Sequence, residues 1–117
     1  MTRVLLIEDD ADVCSSLADA LAAAPTSARV TCALTVLDGL GELARGDYDA
    51  AVIDLALDGP AETLHEALAF RGVPTLVLSG TRADELPEHA RRHGWSYLAK
   101  PASAEALHDA LDRLLDD

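Results

Sequence analysis

The residues able to do chemistry stand at the ends of short apolar runs. Ala51-Val52-Ile53-Asp54-Leu55 carries one carboxylate to the edge of an apolar segment. The acidic triplet Glu8-Asp9-Asp10 follows Arg3-Val4-Leu5-Leu6-Ile7, Ser79 closes Pro74-Thr75-Leu76-Val77-Leu78, and Lys100-Pro101 follows Trp95 to Ala99. A charge at the rim of a core costs free energy unless something positive or hydrogen-bonding meets it. Asp9 and Asp54, with Glu8 nearby, would repel one another unless a cation lay between them. Hard carboxylate oxygens without His or Cys suit Mg²⁺, which keeps several waters and often shares its shell with a phosphate. An Asp carboxylate can attack a phosphoryl group to give an acyl phosphate. Lys100 would hold a phosphoryl oxygen as a point charge, and the Ser79 hydroxyl can donate to another. Lys100 is the single lysine against eight arginines, as expected where a compact ammonium is needed.

Such residues need a scaffold that brings strand ends together. Arg3 to Glu8 reads as a buried strand. Asp10 or Asp12 can cap a helix with Val13, Leu17, Ala20, Leu21 and Ala24 inward, stopped by Pro25. Arg29 to Ala33 half alternates, as an edge strand does. Thr35-x-x-Asp38 opens a second helix with Val36, Leu40, Leu43 and Ala44 inward. Gly39 and Gly41 each weaken that helix by about 1 kcal/mol relative to Ala, and Gly46 ends it. After the Asp54 strand come a third helix from about Ala61 to Phe70, closed by Gly72, and the strand ending at Ser79. A polar helix spans roughly Asp84 to His93. Trp95 to Ala99 is the fifth strand, and Ser103 caps a last helix with Leu107, Ala110, Leu111 and Leu114 inward. Strands alternating with helices define an α/β, doubly wound parallel sheet with helices on both faces. Its ligand site lies beyond the carboxyl ends of the strands, where all of these residues fall.

At 117 residues the chain reads as one domain, able to bury a core without disulfides or metal staples. A net charge of -12 argues against nucleic acid or an anionic membrane as a direct partner. Apolar runs are too short to span a bilayer and no signal-peptide pattern opens the chain, so the expected location is cytoplasmic. Cys14 and Cys32 lack C-x-x-C pairing or metal spacing. They read as small, reduced, partly buried residues, with a redox pair as the alternative.

The ordered set LLIEDD, VIDLAL, LVLSG and YLAKP resembles the receiver domain of two-component response regulators, over the whole length of residues 1–117. That resemblance implies a five-stranded, flavodoxin-like sheet in the order 2-1-3-4-5. It implies that Asp54 is the phosphoacceptor for a histidine-kinase phosphohistidine in a Mg²⁺-dependent reaction. Asp9 would ligate the metal directly, Glu8 mainly through water, and the backbone carbonyl of Ala56 would complete the protein ligands. Ser79 would be the hydroxyl switch, Tyr97 the aromatic switch and Lys100 the phosphate-binding lysine, before a cis Lys100-Pro101 bond. The protein would be a signalling switch, not an enzyme of turnover: it would catalyse only its own phosphorylation and dephosphorylation. Its partners would be a sensor histidine kinase or phosphotransfer protein, and an output partner or second copy through residues 84–117. The chain reads either as a stand-alone receiver or as one parted from an output domain. It departs from the family in having Leu57-Asp58 where Met-Pro is common, a short span from Asp54 to Ser79, and Ser in place of Thr at 79.

Residues alone allow other readings. Tyr97 could be a half-buried strand aromatic, and Trp95 a partly exposed packing residue. His65, His89, His93 and His108 read as surface histidines, and the acids of the last helix as a solvated face. A phosphotransferase of the haloacid-dehalogenase type would carry a second Asp two residues after the nucleophile, where this chain has Ala56. A phosphorylation-independent docking module of receiver-like fold would usually lose the acids or the lysine, and all are kept.

Overall fold

The computed structural model describes residues 2–24, 26–54, 57, 61–80, 94–100 and 102–116, with only the backbone of Ala61 and Ser79. Five parallel strands form one sheet: β1 (Arg3–Ile7), β2 (Arg29–Ala33), β3 (Ala50–Asp54), β4 (Thr75–Ser79) and β5 (Ser96–Ala99). Their spatial order is β2-β1-β3-β4-β5, as the resemblance implied. Four helices are described: α1 (Ala11–Ala22), α2 (Val36–Arg45), α3 (Ala61–Phe70) and α4 (Ala104–Leu115). The helix expected near 84–93 lies outside the described residues.

Alternation along each strand divides the core into two layers. Leu5, Ile7, Ala51, Ile53 and Val77 pack under α2 and α3 with Val36, Leu43, Leu64 and Leu68. Val4, Leu6, Val52, Leu76 and Leu78 face α1 and α4, where Cys14, Leu21, Leu107 and Leu111 close the layer. β3, at the centre, is buried along its whole length, so both of its faces are apolar until Asp54. β2 is an edge strand with an exposed or half-exposed pattern up to Ala33, as its sequence suggested.

The helices begin where their caps stand. The Asp10 carboxylate accepts from the backbone N–H groups of Asp12 and Val13, at 2.9 and 3.2 Å. Thr35 Oγ1 accepts from the Asp38 N–H at 3.0 Å, and Ser103 Oγ from the Ala106 N–H at 3.1 Å. Gly72, after α3, has φ +67°, a left-handed turn that a side chain would strain.

Three expectations about faces change. In α1 the buried positions are Cys14 and Leu21, with Leu17 and Ala18 beside them, whereas Val13 and Ala24 are exposed. The set 14, 17, 18, 21 is a better i, i+3, i+4, i+7 stripe once Cys counts as a small hydrophobe. In α2 Gly39 is buried and Ala44 exposed. A Cβ on Gly39 would come within 2.7 Å of Ile7 Cδ1, so the glycine that weakens the helix is what lets it lie close to β1. Finally, His65 and His108 are buried, not on the surface. His65 meets the Trp95 ring edge-on at 5.5 Å, and His108 Nδ1 lies 2.5 Å from Thr26 Oγ1. Each occupies an inward helical position beside a buried leucine, Leu64 and Leu107 respectively. His89 and His93 lie outside the described residues.

Candidate functional site at the carboxyl ends of the strands

Strand register brings the chemistry-bearing residues together. Ile7 pairs with Ile53, so Glu8 and Asp54 end their strands at one level. Asp54 pairs with Leu78, one residue before Ser79, and Ser79 pairs with Ala99, one residue before Lys100. With about 3.3 Å of rise per strand residue, these positions lie within about two residue steps of one another along the strand direction. The switch point of the doubly wound order falls between β1 and β3, the two strands that deliver Glu8 and Asp54.

Side chains meet there as a compact charged group. Carboxylate oxygens of Glu8, Asp9 and Asp54 all lie within 4.8 Å of one another. Glu8 is 2% exposed and Asp54 7%, while Asp9 is exposed. The Lys100 ammonium donates to Glu8 Oε2 at 2.9 Å and to Asp54 Oδ2 at 3.1 Å. Glu8 Oε1 accepts from the Asp10 N–H at 3.2 Å, which ties the acid to the start of α1. One cation therefore already lies between the carboxylates. The repulsion that by sequence called for a metal is partly relieved by the chain's own lysine, a Lys100–Glu8 bond that sequence reasoning missed.

Burial holds the Glu8 carboxyl above the ordinary carboxylate range. The Lys100 ammonium and the Asp10 N–H pull it back without cancelling the rise, and the Asp9 and Asp54 carboxyls add to it. For Lys100 the largest influence is also burial, which favours the neutral amine, but Glu8 and Asp54 outweigh it and hold the ammonium above its usual range. The donor set suits a hard divalent cation: three carboxylates with oxygens within 4.8 Å of one another and, among the described residues, no soft ligand in the group. Among the described residues, three acids against one ammonium leave net negative charge for such an ion to neutralise.

Other expected site residues are placed in part. The backbone of Ser79 ends β4, and a Cβ on the adjacent Gly80 would meet nothing within 4 Å. Tyr97 is half-buried in the edge strand β5. Ala56, whose carbonyl was an expected ligand, and Pro101, with its expected cis bond, lie outside the described residues, as does Asp58. Leu57 is buried in the layer under α2 and α3.

Solved structures are similar to nearly the whole length of this chain. A CheY-like response regulator receiver domain protein from Methanospirillum hungatei JF-1 is similar over 99% of this chain and 94% of its own, with TM-score 0.87 and 23% identity. The chemotaxis response regulator CheY4 of Vibrio cholerae matches 98% of this chain and 99% of its own, with TM-score 0.85 and 20% identity. SdrG from Pseudomonas melonis Fr1, in its BeF3-activated conformation, matches 97% of this chain and 95% of its own, with TM-score 0.78 and 28% identity. No family model matches the chain, and no curated protein matches it by sequence. The chain has the fold of response-regulator receiver domains, the fold that the resemblance read from its motifs implied. No helix among the described residues is long and apolar enough to cross a membrane.

Proposed function

We propose that residues 1–117 form a single phosphorylation-controlled receiver domain of a two-component phosphorelay, with Asp54 as the phosphoacceptor. The observation that carries this reading is the Lys100 ammonium bonded to both Asp54 and Glu8, beside Asp9, at the switch point of a receiver fold. A carboxylate oxygen of Asp54 attacks the phosphorus of a kinase phosphohistidine; the P–N bond breaks, and the imidazole leaves with a proton from solvent. Asp9 and Asp54, with Glu8 and the Ala56 carbonyl, would hold Mg²⁺, which supplies positive charge to the transferring oxygens. Lys100 leaves its carboxylate partners to pair with a phosphoryl oxygen. Glu8, buried and held by the Asp10 N–H, keeps the acidic loop in place while Lys100 moves.

Ser79 and Tyr97 are the proposed relay. A phosphoryl group adds charge and acceptor oxygens that Ser79 can meet, and Tyr97 responds on the neighbouring strand. The surface of residues 84–117 then shifts in population toward a form recognised by an output partner or a second copy. Such a protein works as a switch, in the cytoplasm, opposite a sensor histidine kinase or phosphotransfer protein.

Incubation with acetyl phosphate and Mg²⁺ tests the central claim. One phosphoryl group should add to the wild type, labile to hydroxylamine, with acetate released. Asp54→Ala should take none. A full adduct on Asp54→Ala moves the acceptor elsewhere, and no adduct on the wild type with any of several donors favours a docking module. Amide NMR with beryllofluoride tests the relay: Ser79→Ala should bind the mimic yet show a smaller response in residues 84–117.

A further inference from the structure

Two thiols outside the charged site are placed against each other. Cys14 lies one turn into α1 and is buried, whereas Cys32 lies on the edge strand β2 and is exposed. Cys32 pairs in register with Leu6, whose side chain packs on the α1 face with Cys14. The Cys32 thiol accordingly points at the helix, where it donates to the Cys14 carbonyl oxygen at 3.7 Å. The two are unequal in reactivity. Burial first, and then the adjoining Cys32 thiol, push the Cys14 thiol up to about 12, so it is no initial nucleophile.

We propose that Cys14 and Cys32 are a thiol modification site that closes to a reversible disulfide, stapling the first turns of α1 to β2, with a low-molecular-weight disulfide of the glutathione class as oxidant. The exposed Cys32 thiolate attacks one sulfur of the oxidant. The oxidant's S–S bond breaks, one small thiol leaves with the proton Cys32 gave up, and a mixed disulfide remains. Cys14 then loses its proton to solvent base and attacks the Cys32 sulfur, and the second small thiol leaves. Two electrons pass from the two protein thiols to the oxidant, which ends as two thiols. The division of labour follows from position: Cys32 is reached from solvent, while Cys14 is shielded in the layer beneath, its own carbonyl in contact with the Cys32 thiol. A strained or exposed disulfide is readily reduced, as suits a reversible modification in a reducing compartment. The staple would fix the turn of α1 that follows Asp10, whose carbonyl accepts the Cys14 N–H at 2.9 Å.

Oxidised glutathione, added to the native full chain and followed by intact mass after quenching with N-ethylmaleimide, provides the test. The wild type should pass through a one-glutathione adduct to a monomer two hydrogens lighter that takes no maleimide, faster at higher pH. Cleavage after Arg29 and Arg45 should leave the peptides bearing Cys14 and Cys32 joined until reductant is added. Cys14→Ala should accumulate the glutathione adduct and stop there. Cys32→Ser should not react while folded, and circular dichroism checks that both variants fold. A wild type that retains its adduct as Cys14→Ala does, that links to a second chain through Cys32, or that fails to react overturns the proposal.

Discussion

Replacing Lys100 by Met keeps the length of the side chain and removes the ammonium that lies between two buried carboxylates. At an effective dielectric constant of about 20, a unit charge about 3 Å away is worth about 5 kcal/mol. Most of that is cancelled by withdrawing both groups from water, and hydrogen bonds to charged groups net about 1.5–3 kcal/mol. Lys100 makes two such bonds but is 29% exposed, so solvent screens the pair and the expected total loss is about 2 kcal/mol at neutral pH without metal. For a chain of this size that lowers the melting temperature by about 8 °C. The loss should depend on pH in a defined direction. Glu8 has a folded pKa already raised by burial, and the variant removes the strongest influence opposing that rise, so its folded pKa climbs further. A raised carboxyl favours the native state below its unfolded pKa, and this contribution is lost as pH rises through the folded value. The gap between wild type and variant is therefore full at neutral pH. It narrows as pH falls through the variant's Glu8 pKa toward the ordinary carboxylate range. Urea titrations from pH 4 to pH 8 in chelator, with Arg71→Met as a control of equal charge change, measure both quantities. A loss no larger than that control's, or one independent of pH, would refute the ion-pair reasoning.

Gly39→Ala should destabilise the fold by about 1 kcal/mol despite its better helix propensity, because the new Cβ meets Ile7 Cδ1 in a filled core. Combining it with Ile7→Val, which deletes that methyl, should cost less than the sum of the two changes in urea titrations; strict additivity would count against the steric account. Asp10→Ala removes the cap of α1 and should cost about 1 kcal/mol by the same assay, an effect that an unchanged midpoint would deny. Mg²⁺ titration followed by Trp95 fluorescence or amide NMR should show binding lost in Asp9→Ala and Asp54→Ala, and unchanged binding in either removes that residue from the metal site.

Much of the architecture was legible in local pattern. Apolar runs ending on acids, Ser and Lys marked the strand ends, and Thr35, Ser103 and Gly72 marked helix boundaries, because capping and turn chemistry act over a few residues. The bearing of the helices was less legible. Whether Val13 or Cys14 faces the sheet, and why Gly39 is tolerated, depend on how closely each helix lies on its strands. The same limit hid His65 and His108, since a polar residue at an inward position needs a partner from a distant segment: Trp95 for one, Thr26 for the other. At the charged site the sequence determined the inventory of carboxylates, hydroxyl and ammonium, and their places at strand ends. Only the tertiary structure decided that Lys100 bridges Glu8 to Asp54. That choice joins residues 92 and 46 positions apart, and it is made by the sheet order that sets β1, β3 and β5 around one end of the molecule.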